Sequence, residues 1–185
     1  MEWVILGLLV AIAAYAIKIY NDLVKNRQMV EEGWSGIDVQ LKRRADLIPN
    51  RLETVKGYMA HERDTLQAVT EARSRVQAAQ NGPPEERARA EGMLSSALGR
   101  LFAVAEAYPD LKANTTFLEF QDTLRTVEDE IQMSRRYYNG AVRNNNVLVE
   151  SFPSNFVANS FRFSTAQYFE LENEADRATP QVKFT

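Results

Sequence analysis

The chain has no cysteine among its 185 residues, and it has one histidine. The absence of cysteine excludes disulfides, thiolate metal sites, cysteine nucleophiles and a lipid-modified N-terminal cysteine. His61 stands in the segment HERDT, which lacks the second histidine of a zinc-protease helix. The sequence also contains no glycine-rich phosphate loop and no serine in a nucleophile elbow. We therefore predict no catalytic, metal-binding or cofactor-binding residues, and a protein that is not an enzyme.

The chain also has little excess of either charge: the formal net charge is -3, and acidic and basic residues are interspersed. Binding to a nucleic-acid backbone needs Lys and Arg gathered on one surface, so we expect no nucleic-acid partner. With 45% apolar and 25% charged residues, the composition is typical of a folded chain with a core.

One long apolar run is present at the N-terminus, where fifteen residues from Trp3 to Ile17 carry no charge. As a helix this run spans ~22 Å, or ~27 Å if Lys18 extends towards the headgroups, which is slightly short of a ~30 Å hydrocarbon core. We predict a membrane anchor over residues 1–24. A cleaved signal peptide ending in AIAAYA and a buried core helix are the alternatives. The predicted anchor side chains are Trp3, Tyr15, Lys18 and Tyr20.

The charges that flank this run predict its orientation. Glu2 precedes it, whereas Lys18, Lys25 and Arg27 follow it. Because positive residues accumulate on the cytoplasmic side, we expect the N-terminus outside and the rest of the chain in the cytoplasm.

After the anchor, apolar residues recur at heptad spacing in four segments, and no alternating strand pattern is found. We predict an all-α fold: a transmembrane helix, an antiparallel up-and-down four-helix bundle over residues 25–150, and a C-terminal segment over residues 151–185. The first link is expected at Pro49, as a hairpin turn, with a kink in a continuing helix as the alternative. The apolar stripes through which the helices are predicted to pack are here called seams. They include Leu94, Leu98 and Leu101 in the third helix and Phe117, Phe120 and Leu124 in the fourth.

Two similar heptapeptides occur far apart, YNDLVKN from Tyr20 and YNGAVRN from Tyr138. With a hairpin at Pro49, both would lie at the membrane-proximal end of the bundle. We therefore expect Tyr20 beside Tyr138, with hydrogen bonds between Asn21 and Asn139.

Polar residues interrupt or border the seams and form a predicted inter-helix polar network. One interpretation is a set of solvated faces together with a buried ion-pair network that fixes helix register; the other is a polar cleft that binds a ligand. The spacing does not distinguish them. The network comprises Asn21, Arg44, Asp46, Glu106, Glu128, Arg135, Tyr138 and Asn139.

The C-terminal segment is rich in aromatic residues before it becomes acidic. It is a candidate surface for assembly or for membrane contact, and packing against the first and fourth helices is the alternative. Its aromatic residues are Phe152, Phe156, Phe161, Phe163, Tyr168 and Phe169.

These motifs together resemble the LemA proteins of bacteria. The matching stretches are YNDLV after the apolar run, IDVQLKRRADLIPNRLETVKGY, EAYPDLKAN, FLEFQDTLRTVEDEI, RRYYNGAVRNNN and a PQVKF end. The resemblance implies a helical bundle anchored in the bacterial inner membrane, with some relatives linked to bacterial membrane organelles. Arg51 departs from the pattern, where an apolar residue is expected, and predicts a more solvated turn.

The favoured function is a non-enzymatic scaffold at the membrane that organises or shapes it and forms homo-oligomers. Self-association is expected to depend on the anchor and on the aromatic segment, which lack internal partners of their size. The lipid bilayer is the first expected partner. The alternatives are an adaptor that docks another membrane protein and, third, an enzyme that uses the carboxylate network.

Overall fold

The computed structural model describes residues 1–170, where it contains α-helices and no β-strand. The all-α prediction is therefore confirmed for this part of the chain, as is an apolar N-terminal helix. The helices are α1 (Glu2–Tyr58), α2 (Arg63–Ala78), α3 (Pro84–Ala105), α4 (Pro109–Lys112), α5 (Thr115–Glu150) and α6 (Ser154–Ser160).

Helix α1 continues through Pro49 and ends nine residues later, at Tyr58. The hairpin predicted at Pro49 is therefore wrong. A proline inside a helix costs about 3 kcal/mol, because it lacks an N–H and its ring crowds the preceding turn. Ile48, Leu52 and Val55 flank it and are at most 5% exposed. Burial of each stabilises by about 1.5–3 kcal/mol, which outweighs the local penalty and keeps the segment helical.

Residue contacts divide the described chain into two compact units. The anchor unit contains Met1–Gln40 and Asp129–Tyr168. The core unit contains Leu41–Glu128 together with Phe169 and Glu170. Both α1 and α5 contribute residues to each unit.

The core unit buries one apolar cluster to which α1, α2, α3 and α5 all contribute. Phe102 of α3 packs against two rings of α5, with centroids 6.0 Å from Phe117 and 5.9 Å from Phe120. The N-terminus of α5 is capped by Asn114, whose Oδ1 accepts a hydrogen bond from the Phe117 N–H at 3.1 Å. Other buried members include Ile48, Val55, Val69, Leu94, Leu101 and Leu111.

The anchor unit is built on close approach of α1 and α5 at Gly33. A Cβ atom on Gly33 would lie 3.0 Å from the Tyr138 Cα, so only glycine allows this contact without displacement. The next residue, Trp34, packs on the Tyr138 ring with centroids 5.4 Å apart. Tyr138 is itself buried, and its hydroxyl donates to the Gln167 carbonyl oxygen at 2.8 Å.

This register separates the two heptapeptides. Tyr138 lies beside Gly33, which is thirteen residues from Tyr20, or ~20 Å along α1. The prediction that Tyr20 and Tyr138 are neighbours is therefore wrong. It depended on the hairpin at Pro49, which would have shortened the helix and brought the two segments level.

The chain after α6 is extended and lies along α5, held by asparagine side chains. Asn146 makes two hydrogen bonds to the backbone of Ala166: its Nδ2 donates to the carbonyl oxygen at 3.0 Å, and its Oδ1 accepts from the N–H at 2.8 Å. Asn145, which is buried, donates to the Ser164 carbonyl oxygen at 3.3 Å. These side-chain bonds satisfy backbone groups of the extended segment that a neighbouring β-strand would otherwise pair with.

Replacing Asn146 with alanine should release this extended segment locally, because the Ala166 backbone loses both partners. Each bond contributes about 0.5–1.5 kcal/mol, so we expect amide exchange at Ala166 to accelerate about tenfold. Hydrogen–deuterium exchange with mass spectrometry measures this directly. Asn144→Ala is the matched control, since Asn144 is exposed on the same helix, and it should leave the exchange rate unchanged. Equal protection in both variants would contradict the assigned role of Asn146.

Candidate functional site

The first seventeen residues of α1, from Glu2 to Lys18, form an apolar helical stretch with almost no contact to the rest of the chain. All are exposed except the partly buried Ala16, and Leu9 is 59% exposed. Among the described residues, α1 is the one helix long and apolar enough to cross a membrane. Trp3, Tyr15 and Lys18, three of the four predicted anchor residues, lie on this exposed stretch.

The C-terminal segment closes onto α1 directly after this stretch. Ile19 and Leu23 are the first buried residues of α1, and they form an apolar cluster with Val149 of α5 and Ala158 of α6. The partly buried Phe163 packs against this cluster. The body of the anchor unit therefore begins where the exposed apolar stretch ends.

The six aromatic side chains of the C-terminal segment divide into inward and outward sets. Phe169 is fully buried and Phe163 is partly buried. Phe152, Phe156 and Phe161 are 79%, 64% and 62% exposed. Tyr168 is also exposed, at 42%. Two of the six rings are therefore packed inside the chain, and four are exposed.

Ring contacts connect the outward set to α1. The Phe161 and Phe163 rings lie 4.8 Å and 5.7 Å from the Tyr20 ring, both edge to face. The Arg27 guanidinium lies 5.3 Å from the Phe163 centroid, in cation–π geometry. On the α6 side, the Phe152 and Phe156 rings are 5.9 Å apart.

The predicted polar network has its centre at Arg44, a residue of α1 that is 3% exposed in the core unit. Its guanidinium donates to the carboxylate of Glu128, another residue of the predicted network, at 2.7 Å. It also donates to the Ser95 hydroxyl at 3.0 Å and forms an ion pair with Glu91. Glu91 and Ser95 of α3 are absent from the predicted network.

Glu91 is 1% exposed, and burial raises the pKa of its carboxyl group, although the Arg44 charge opposes that shift. Glu128 is more solvated, with its side chain 39% exposed. Within the described residues, Glu91 Oε1 and Arg44 Nε are buried without a hydrogen-bond partner. The charges of Arg44 and Glu91 are therefore enclosed in the core unit and are not exposed at its surface.

The other predicted network residues do not join Arg44. Asp46 and Asn21 are exposed, and Glu106 pairs with Lys112 at the surface. Tyr138 is buried at the Gly33 contact, in the anchor unit.

Arg135 and Asn139 lie instead in a shallow groove of about 410 Å³ on the anchor unit. Two further arginines, Arg136 and Arg143, line it, and Tyr168 forms one edge. The Arg135 guanidinium donates to the Gln132 side-chain oxygen at 3.1 Å. Three arginine side chains thus line one groove of the anchor unit. Within residues 1–170, no cluster of three or more His, Cys, Asp or Glu side chains is arranged to hold a metal ion.

Comparison with known proteins gives the family of the chain. The chain is 26% identical to magnetosome protein MamQ 2 of Paramagnetospirillum magneticum, over 94% of this chain and 73% of that protein. It is 28% identical to protein LemA of Metamycoplasma hominis, over 81% of this chain and 68% of that protein. The LemA family model matches residues 33–184. The chain therefore belongs to the LemA family.

Proposed function

We propose that this protein is a non-enzymatic scaffold that is anchored in the bacterial inner membrane by α1 and self-associates there. The exposed apolar stretch of residues 2–18 carries the proposal, because its side chains have no partner surface of comparable size in the anchor unit. We expect such a stretch to contact lipid, a second anchor helix, or both.

Several further features support this proposal. The flanking charges favour an external N-terminus and a cytoplasmic location for the rest of the chain, which we propose to be an antiparallel four-helix bundle. A span slightly shorter than the bilayer core favours association, because neighbouring anchors share the thinned lipid around them. The relatives named as magnetosome proteins support a role in organising a membrane structure.

The anchor offers one position at which helices can approach closely. A Cβ atom on Gly7 would meet nothing within 4 Å in the chain itself, so a larger residue there leaves the fold intact. Small residues in apolar helices allow close contact with a neighbouring helix. We therefore place the self-association contact at the Gly7 face of the anchor.

The experiment is a mass measurement of the full-length protein in detergent and in nanodiscs. We expect an oligomer in both media for the wild type, and a shift towards monomer for Gly7→Leu. Ile12→Leu, an apolar exchange about 140° around the helix from Gly7, is the matched control and should keep the wild-type mass. A wild-type monomer in both media would contradict self-association.

The second candidate is an adaptor that docks another membrane protein. The arginine groove at Arg135, Arg136 and Arg143 favours it, since guanidinium groups on one face suit a carboxylate-rich segment. A monomeric wild type that co-purifies with a membrane protein, and loses it on Arg136→Glu with Arg143→Glu, would support the adaptor over the scaffold.

A further inference from the structure

We propose that the outward rings around α6 form a second membrane contact, separate from the transmembrane anchor. The contact surface, here called the interfacial face, consists of Tyr20, Phe152, Phe156 and Phe161. Its partner is the headgroup and upper acyl region of the bilayer from which α1 emerges. The inference rests on the proposed membrane anchoring of α1.

The height of this face relative to the anchor follows from the register of the two helices. Gly33 of α1 contacts Tyr138 of α5, and Gly36 contacts Ser134, so the helices run antiparallel. The last residue of α5, Glu150, lies twelve residues beyond Tyr138 and is therefore level with about Asn21, twelve residues before Gly33. The apolar cluster of Ile19 and Leu23 with Val149 confirms this level. Helix α6 thus begins where the exposed apolar stretch ends.

Helix α6 has two faces of different character. Ser154 and Ala158 are buried, and the neighbouring Val157 packs on the cluster at Ile19. Phe156 points away from that cluster and is 64% exposed, and Phe152, just before the helix, is 79% exposed. Large exposed rings on a helix whose other side is already packed need a further apolar environment.

The charge of the segment suits a lipid surface. Residues 151–169 contain no Asp or Glu, and their one charged side chain is the exposed Arg162. On α1, Lys18 and Lys25 lie on either side of Tyr20, with one carboxylate, Asp22, between them. Aromatic rings favour the headgroup level, and a segment without carboxylates avoids repulsion by anionic lipids. The interfacial face is therefore assigned to lipid, and self-association is left to the anchor.

The test uses depth measurement on the full chain, which contains no native cysteine to interfere with labelling. Single-cysteine variants Phe152→Cys, Phe156→Cys and Phe161→Cys carry a nitroxide spin label in nanodiscs that contain one chain each. Collision with oxygen, which partitions into the membrane, is compared with collision with a water-soluble nickel chelate. Val10→Cys in the anchor is the membrane reference. Met133→Cys is the solvent reference, because it is 55% exposed on α5 and lies seventeen residues, or ~25 Å, before the end of that helix.

Labels on the interfacial face should show an oxygen-to-nickel collision ratio at least ~3-fold above that of Met133→Cys and below that of Val10→Cys. Ratios equal to that of Met133→Cys, with a high ratio at Val10→Cys, would overturn the inference while anchoring stands. A low ratio at Val10→Cys would overturn anchoring itself. If the labels become protected from nickel only in discs with several chains, they face a neighbouring subunit, and the assignment to lipid is wrong.

Discussion

Replacing Arg44 with methionine is expected to lower the free energy of unfolding by about 3–5 kcal/mol. Methionine fills a similar space but removes the guanidinium that pairs with the Glu91 carboxyl group, which is 1% exposed and keeps only the weaker interaction with Arg87. Glu128 can turn towards water because its side chain is 39% exposed, so most of the loss arises at Glu91. Denaturant titration in mild detergent, followed by circular dichroism, measures the change.

Two variants make this expectation specific to the buried pair. Adding Glu91→Leu to Arg44→Met should recover most of the stability, because an apolar pair of similar volume is often neutral or better in place of a buried ion pair. Arg51→Met is the matched control, since Arg51 pairs with Glu119 at 3.9 Å on the surface and should lose at most about 1 kcal/mol. A loss in Arg44→Met no larger than in Arg51→Met would show that the buried pair contributes little.

Gly33→Leu is expected to destabilise the anchor unit by about 1–3 kcal/mol or more, because the side chain has no space. Its Cβ alone would lie 3.0 Å from the Tyr138 Cα and 3.1 Å from the Tyr137 ring. The helices must therefore separate, which also disturbs the contact between Trp34 and Tyr138. Thermal unfolding of the full-length protein in detergent should show a lower midpoint.

Gly36→Leu provides the comparison on the same helix, one turn away. Gly36 is exposed, and its Cβ would meet the Ser134 Oγ at 4.0 Å, an ordinary contact. Because leucine is a better helix former than glycine by up to about 1 kcal/mol, this variant should be neutral or slightly stabilised. Similar midpoints for both leucine variants would mean that α1 and α5 are not closely packed at Gly33.

The apolar periodicity predicted much of the fold because burial follows it closely. Leu94, Leu98 and Leu101 are buried in α3, and Phe117 and Phe120 are buried in α5, as the seams require. The apolar run at the N-terminus likewise predicted the exposed stretch of α1. These features depend on local pattern, which a single sequence contains in full.

The error at Pro49 has a different origin. The residue before a proline disfavours the α region, and this local rule predicts a turn. In the structure the rule is overridden by burial of Ile48 and Leu52 on α1, which depends on contacts with other helices. The turn falls instead after Tyr58.

A sequence signal for the missed partner of Arg44 does exist. Glu91 precedes Leu94 by three residues and thus occupies a seam position of α3, just as Arg44 occupies one of α1. Two opposite charges on facing seams predict a pair. For Gly33 and Asn146, no such signal is available, because their roles depend on the register between α1 and α5 and on the path of the chain after α6.

The part of α1 that belongs to the anchor unit, from Glu2 to Gln40, is one uninterrupted helix. This continuity limits where the anchor unit can meet partners. A domain on a flexible linker samples a volume whose radius grows with linker length, and it can reach targets at many heights above the lipid. Here no linker separates the exposed apolar stretch from the residues that pack on α5, so the membrane anchoring that we propose would hold the anchor unit at a fixed height. Under that proposal its encounters are confined to two dimensions, and partners present their contact surface at the same level.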